Sequence, residues 1–525
     1  MSTEQTPLIT PLQRRDNGLP SSTLRYIQIT CAVLWCLFAA GPVFGFAALK
    51  PLLISQGVYE NVCDVKTPSY SITDSLCVEQ DLALNRMFTW AAVITNVTSI
   101  LVGYILDNYG PRITGILGSI FLAMASYILS NSGEITKFDA YLVGYVSLAF
   151  AGPFVFISSF QLANSFPKNS GFVLALLTGA FDSSSALFLA YRIIYENHYI
   201  ENLTIKRFFK YYLAVPAFIL FCQIFIMPHE SYTTIESVAK VAETGLDEDG
   251  LPLDPHDTRY NSEEVEAVTR SRARQTSVVS TKSVFEEIAD HRLKEKTGGV
   301  FGVLHNKSVK EQLVSPWWYL ILFFTVIQMI RINYFVATIA SQMEYYFDSG
   351  TAVKINKFFD IALPLGGLVS IPFIGLILDN LHTLVVLTIM LVASLTIGIF
   401  GMLSIQLLQY CGILLLVVYR PFYYTSVSDY CVKVFGYSNF GTVYGAIICI
   451  SGIINSTQAL LDTATHYLFS SNPNPINFIL VTITLVSGGL LLAFVKSQEK
   501  EAVKQSIIEE VLEGCEDEPI YNPPQ

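Results

Sequence analysis

Twelve stretches of this chain are apolar enough and long enough to cross a bilayer, and that feature leaves few folds open. They run over 25–48, 85–106, 113–132, 139–163, 171–194, 207–227, 316–340, 357–379, 383–402, 404–428, 440–463 and 474–496. A helix needs about 20 apolar residues to span the hydrocarbon layer. Inside lipid every backbone N–H and C=O must find a partner within the protein, so runs of this length are read as helices. The fold class expected is an all-α polytopic membrane protein. Composition agrees: 52% of the 525 residues are hydrophobic and 14% are charged, where soluble domains carry about 25% charge.

The spans fall into two sets of six. Residues 1–24 form a polar N-terminal tail, 25–227 the first six-helix bundle, 316–496 the second, and 497–525 a C-terminal tail. Between the bundles, 228–315 is rich in Glu, Asp, Ser, Thr, Lys and Arg, a composition that reads as largely disordered. Positive charge marks the cytoplasmic side. Arg14, Arg15, Arg25, Arg112, Lys168, the basic residues of 270–296 and Lys496 all fall on one side. Both termini and the central segment are therefore predicted cytoplasmic, against which Lys206, Arg207 and Lys210 argue. The opposite side holds Cys63 and Cys77, a candidate disulfide, and the sequon at Asn202.

The two sets repeat one another. "GYILDN" from Gly103 and "GLILDN" from Gly375 end the second span of each set, 272 residues apart (375 − 103). "PFVFISS" from Pro153 and "PFYYTSV" from Pro421 lie in the fourth span of each, 268 apart (421 − 153). Two matches at nearly one offset predict two pseudo-symmetric six-helix bundles, with a solute site near the midplane between them.

"GYILDNYGPR" resembles the G-x-x-x-D-x-x-G-x-R/K signature of the major facilitator superfamily, through Gly103, Asp107, Gly110 and Arg112. "GAFDSSSALF" (179–188), "YRPFYYTSVSDYCVKVFG" (419–436) and the segment 440–462 resemble the sodium-independent large neutral amino-acid carriers, particularly fungal ones, a branch that includes a purine nucleobase carrier. The resemblance implies secondary transport by alternating access. It also implies that Gly103, Asp107, Gly110 and Arg112 form a latch between spans two and eleven when the cytoplasmic side is closed. Asp379 lacks the second glycine and the arginine, and reads as a reduced copy or a simple helix cap.

Three charges sit deep in spans: Asp182, Arg331 and Arg420. Each costs about 2.5–3.5 kcal/mol at that depth and is expected to face the bundle interior or a cavity. An arginine fork suits a carboxylate or a polar base edge, and Asp182 can take a proton, bind an ammonium group or neutralise an arginine. Asn333, Tyr423 and Tyr424 complete the substrate-binding candidates. Gly41, Pro42 and Gly45 mark span one for irregular backbone.

Outside the membrane, Glu4, Leu8 and Ile9 fit an acidic dileucine sorting signal read by a coat adaptor, pointing to the vacuolar membrane, with the plasma membrane as the alternative. Ser277 follows Arg274 at the spacing of a basophilic kinase site. No GxxxxGK[ST] loop, GxSxG elbow or metal-spaced Cys/His cluster is present in the sequence, so no enzyme, cofactor, metal or nucleic-acid role is expected. The expected partners are a small polar solute, best a neutral amino acid, a proton if transport is coupled, and membrane lipid. A nucleobase carrier and a non-transporting receptor or scaffold are the alternatives.

Overall fold

A computed structural model describes residues 21–63, 78–166, 169–200, 202–229, 231–232, 293–294, 297–305 and 307–516. The first half comprises α1 (Ser22–Trp35), α2 (Phe46–Ser55), α3 (Val78–Ser130), α4 (Ala140–Ile157), α5 (Ser170–Ser183), α6 (Ala186–Glu196), α7 (Ile205–Tyr212) and α8 (Ala214–Phe225). A short α9 (Val309–Val314) leads into the second half. That half comprises α10 (Pro316–Tyr346), α11 (Ser349–Asn380), α12 (Thr383–Gly401), α13 (Gln406–Phe435), α14 (Phe440–Asn455), α15 (Gln458–Tyr467) and α16 (Asn474–Glu516).

Ten helical stretches among the described residues are long and apolar enough to span, and a bent pair within α11 makes an eleventh. One of the ten runs 48 residues, Ala83–Ser130, about 72 Å at 1.5 Å per residue and far more than one bilayer needs. It turns at Gly110, whose φ is +81°, a value glycine reaches without the Cβ penalty other residues meet. Counted as two arms, α3 brings the total to the expected twelve.

Several spans are broken, the first of them where Gly41, Pro42 and Gly45 marked irregular backbone. The first runs from α1 through a π turn at Cys36–Ala40, bends at Gly41, passes a 3₁₀ turn at Pro42–Gly45 and continues as α2. A Cβ on Gly45 would stand 2.2 Å from the Ser185 carbonyl oxygen, so this bend rests against the break between α5 and α6. There Ser184 Oγ donates to the Phe181 carbonyl (2.5 Å) and Ser185 Oγ to that of Asp182 (2.9 Å). The eleventh span breaks likewise at Ser456–Thr457, between α14 and α15, and α11 bends by 56° at Pro364.

The halves meet along two seams, α3 against α14 and α5 against α11. Small residues let backbones touch there. A Cβ on Gly103 would lie 1.8 Å from the Gly441 oxygen, and one on Gly179 would lie 2.7 Å from the Gly367 oxygen. Residues 297–305 fold back under the second half. Gly302 N donates to the Lys433 carbonyl (3.0 Å) and Leu304 N to that of Val434 (3.1 Å). We call this the linker side. On the opposite side Lys206 pairs with Glu134, whose carboxyl it holds below the usual range, which gives one of the cations found there a counter-charge.

Candidate functional site

A cavity of about 780 Å³ lies between the halves, lined by Asn96, Asp182, Asn333, Arg420, Tyr424 and Tyr444 among others. Asp182 stands in the last turn of α5, just before that helix breaks. The seam holds it there, since a Cβ on Gly367 would come within 3.0 Å of the Asp182 Cβ. Arg420 approaches from α13 in the other half. Arg420 Nη2 lies 3.7 Å from Asp182 Oδ1, with side chains 17% and 5% exposed. This separation is an ion pair without a hydrogen bond, and Asp182 Oδ1 accepts none from any protein donor. The pair is therefore buried, with a carboxyl oxygen still free to accept and a guanidinium free to donate. Phe44, Phe156, Phe181 and Ile448 give the same cavity an apolar wall.

On the linker side of this pair the halves are closed in layers. Thr178 and Thr425 hydroxyls meet at 2.5 Å across the seam. Beyond them Phe160 packs on Phe440 and Tyr444, at ring separations of 5.9 and 5.8 Å. The two repeated carboxylates form the outermost layer. Asp107 accepts from Gly441 N at 2.8 Å and Thr442 N at 2.6 Å. Asp379 accepts from Gly171 N at 2.7 Å and Phe172 N at 3.0 Å. Both thus cap unpaired N–H groups in the first turn of a helix in the other half, where the helix dipole favours negative charge. Leu293, Thr297 and Phe301 line a linker-side cavity of about 650 Å³ beside Asp379.

Of the six substrate-binding candidates, the structure gathers Asp182, Asn333, Arg420 and Tyr424 around the central cavity. Tyr423 is fully buried and donates to the Thr325 carbonyl at 2.8 Å. Arg331 turns the other way, into the second half, where it meets Ser394 and Thr484. Arg112 does not pair with Asp107: it donates to the Met227 carbonyl at 2.5 Å, tying α3 to the end of α8. Cys63 ends a 3₁₀ turn, and Asn202 is exposed with a φ of +54°. Cys77, Ser277, Glu4, Leu8 and Ile9 lie outside the described residues.

Sequence reasoning missed the receiving ends of both carboxylates, Gly171–Phe172 and Gly441–Thr442. A signal was present: Asn169-x-Gly171-x-Val173 and Asn439-x-Gly441-x-Val443 repeat at an offset of 270 (441 − 171). Each asparagine is the N-cap residue of its helix.

Residues 87–457 match the Major Facilitator Superfamily. The chain belongs to this superfamily. It is 52% identical to Protein FMP42 of Saccharomyces cerevisiae over 487 residues, covering 91% of this chain and 95% of that one. It is 23% identical to Equilibrative nucleobase transporter 1 of Bos taurus, covering 89% and 95%. Over 33% of the chain and 32% of the relative it is 26% identical to Large neutral amino acids transporter small subunit 3 of Homo sapiens. Among solved structures, the proton:xylose symporter XylE superposes with a TM-score of 0.56 at 12% identity, covering 92% of this chain and all of that one. The transporter is thus an all-helical carrier of the superfamily's fold, and not an enzyme.

Proposed function

We propose that this transporter carries neutral amino acids by alternating access, with Asp182 and Arg420 as its substrate-binding charges. The observation that carries this reading is the ion pair across the cavity, one charge from each half, 3.7 Å apart. A zwitterion presents the matching pair. Its carboxylate fits the planar fork of Arg420, and its ammonium group fits Asp182. Exchanging one ion pair for two leaves no buried charge unpaired, the condition that makes buried charge tolerable. The aromatic wall suits an apolar side chain, while Asn333 and Tyr424 supply polar contacts. Rocking of the halves separates Asp182 from Arg420, so solute bridging them is coupled to the motion.

A second reading is a nucleobase, favoured by the name of the bovine relative and by the amide edges of Asn96 and Asn333 in the same cavity. An uptake screen over amino acids and nucleobases in reconstituted vesicles, at two pH values, decides between them. For the solute found, Asp182→Asn and Arg420→Gln should each cut flux at least about tenfold, the loss expected for a charged hydrogen bond. Full flux in both variants sinks the site. Accumulation against a gradient that survives Asp182→Asn rules out proton coupling through that residue.

We further propose that the linker side is cytoplasmic, that Asp107 and Asp379 form its gate with Gly103 allowing the close approach of the halves and Gly110 and Arg112 bracing the first half behind it, and that the opposite side carries a Cys63–Cys77 disulfide and a glycan at Asn202. Glu4, Leu8 and Ile9 direct the protein to the vacuolar membrane through a coat adaptor, and Ser277 accepts phosphate. A glycosidase-sensitive mobility shift lost in Asn202→Gln checks the sidedness.

A further inference from the structure

We infer that the second half holds a small inorganic anion, chloride being the probe, in a site built on Arg331 and separate from the solute cavity. Arg331 lies at the centre of α10, 15 residues from Pro316 (331 − 316) and 15 from Tyr346 (346 − 331). Its guanidinium stays protonated in proteins. Its Nη1 donates to Ser394 Oγ at 2.5 Å and Thr484 Oγ1 at 3.1 Å, and its Nη2 to the Ser394 carbonyl at 2.8 Å. All three acceptors are neutral, and among the described residues no carboxylate pairs with it. Arg420, by contrast, has Asp182.

A second donor points to the same place. Gln328 is one turn before Arg331 on the same helix face and is wholly buried. Its Oε1 accepts from Ser394 Oγ at 2.6 Å and Tyr419 OH at 3.0 Å. In this orientation Nε2 is a buried donor without a protein acceptor. Both side chains line one cavity of about 430 Å³ between α10, α12, α13 and α16. Thr484 gives its own proton to the Leu480 carbonyl at 2.7 Å. The cavity thus presents a fixed positive charge and a free amide donor, with the nearby hydroxyl protons committed elsewhere. One negative charge completes it. Gly398 leaves room for the guanidinium, since a Cβ there would stand 2.5 Å from Arg331 Nη2. Gly401 and Asn477, from the opposite-side ends of α12 and α16, line the cavity's outer part. Because all four helices belong to one half, the anion stays bound as the halves rock.

The test is thermal unfolding of the purified full-length protein in detergent, in chloride and in gluconate at equal sodium and ionic strength. A ligand that binds the folded state raises the midpoint by mass action, here by roughly 2–4 °C in chloride for the wild type. Gln328→Glu places a carboxylate beside Arg331 and should be stable in both salts with no chloride response. Arg331→Gln should lose the response at lower stability. Equal wild-type midpoints in the two salts overturn the proposal, as does a chloride shift that persists in Gln328→Glu. Since Gln328→Glu keeps the arginine and supplies its counter-charge, the test does not depend on Arg331→Gln folding.

Discussion

Asp107 takes two backbone N–H groups at the start of α14, at 2.8 and 2.6 Å; Asp379 takes two at the start of α5, at 2.7 and 3.0 Å. In each case the donors are the second and third residues of the receiving helix. The surroundings differ. After Asp107 the chain turns at Gly110 and Arg112 binds the Met227 carbonyl, within the same half. After Asp379 the helix stops and His382 begins α12 as its N-cap. What is duplicated is the contact between halves; what is unique is a tie inside one half. The arginine that made the first copy look complete belongs to the packing of the first half and makes no contact with its carboxylate. The two capping sites make equal contacts between the halves on the linker side.

The sharpest way to break this equality is steric. A Cβ on Gly103 would sit 1.8 Å from a backbone oxygen of Gly441, which cannot step aside without moving α14. On Gly375 it would sit 2.8 Å from the Phe172 ring and 2.9 Å from the Phe172 Cα, where part of the obstacle is a side chain that can turn. Gly103→Ala should therefore abolish flux and leave the linker side open, while Gly375→Ala retains a measurable fraction. Impermeant maleimide labelling of a Ser170→Cys reporter, which lines the linker-side cavity, reads the opening. Equal losses in the two variants would mean that crossing distance does not govern closure.

The electrostatic test addresses equality itself. Removing the charge from a carboxylate that caps a helix and accepts two N–H bonds costs about 1.5–3 kcal/mol. Asp107→Asn and Asp379→Asn should each raise reporter labelling on the order of tenfold, by similar amounts. The sites share no listening partner, so the double variant should add their free energies. A response confined to Asp107→Asn would restore the unequal reading that the sequence suggested.

The reason for that unequal reading is physical. Periodic apolar runs and the repeated hexapeptides carry the twelve spans and the two halves, because burial in lipid is written in composition. Breaks at Gly41 and Ser184 left only a trace, since glycine and serine are also common in unbroken spans. The partners of Asp107 and Asp379 are backbone N–H groups, which any residue but proline supplies, so side-chain identity hides them. Depth in a span singled out Asp182 and Arg420, which line the central cavity, but said nothing of which way Arg331 turns. Facing depends on neighbours far along the chain, the acceptors Ser394 and Thr484 and the space left by Gly398, 67 positions away (398 − 331).

The smallest effect separates latch from tie. Arg112→Gln removes a charged donor from the Met227 carbonyl, and Gly110→Ala asks alanine to hold a φ of +81°. Either change should cost about 1–3 kcal/mol of stability, read as a lower unfolding midpoint of the purified protein. Neither group touches the other half, so Ser170→Cys labelling should stay at its wild-type level in whatever folds. Should Arg112→Gln instead open the linker side as far as Asp107→Asn does, the arginine would be acting through the carboxylate after all.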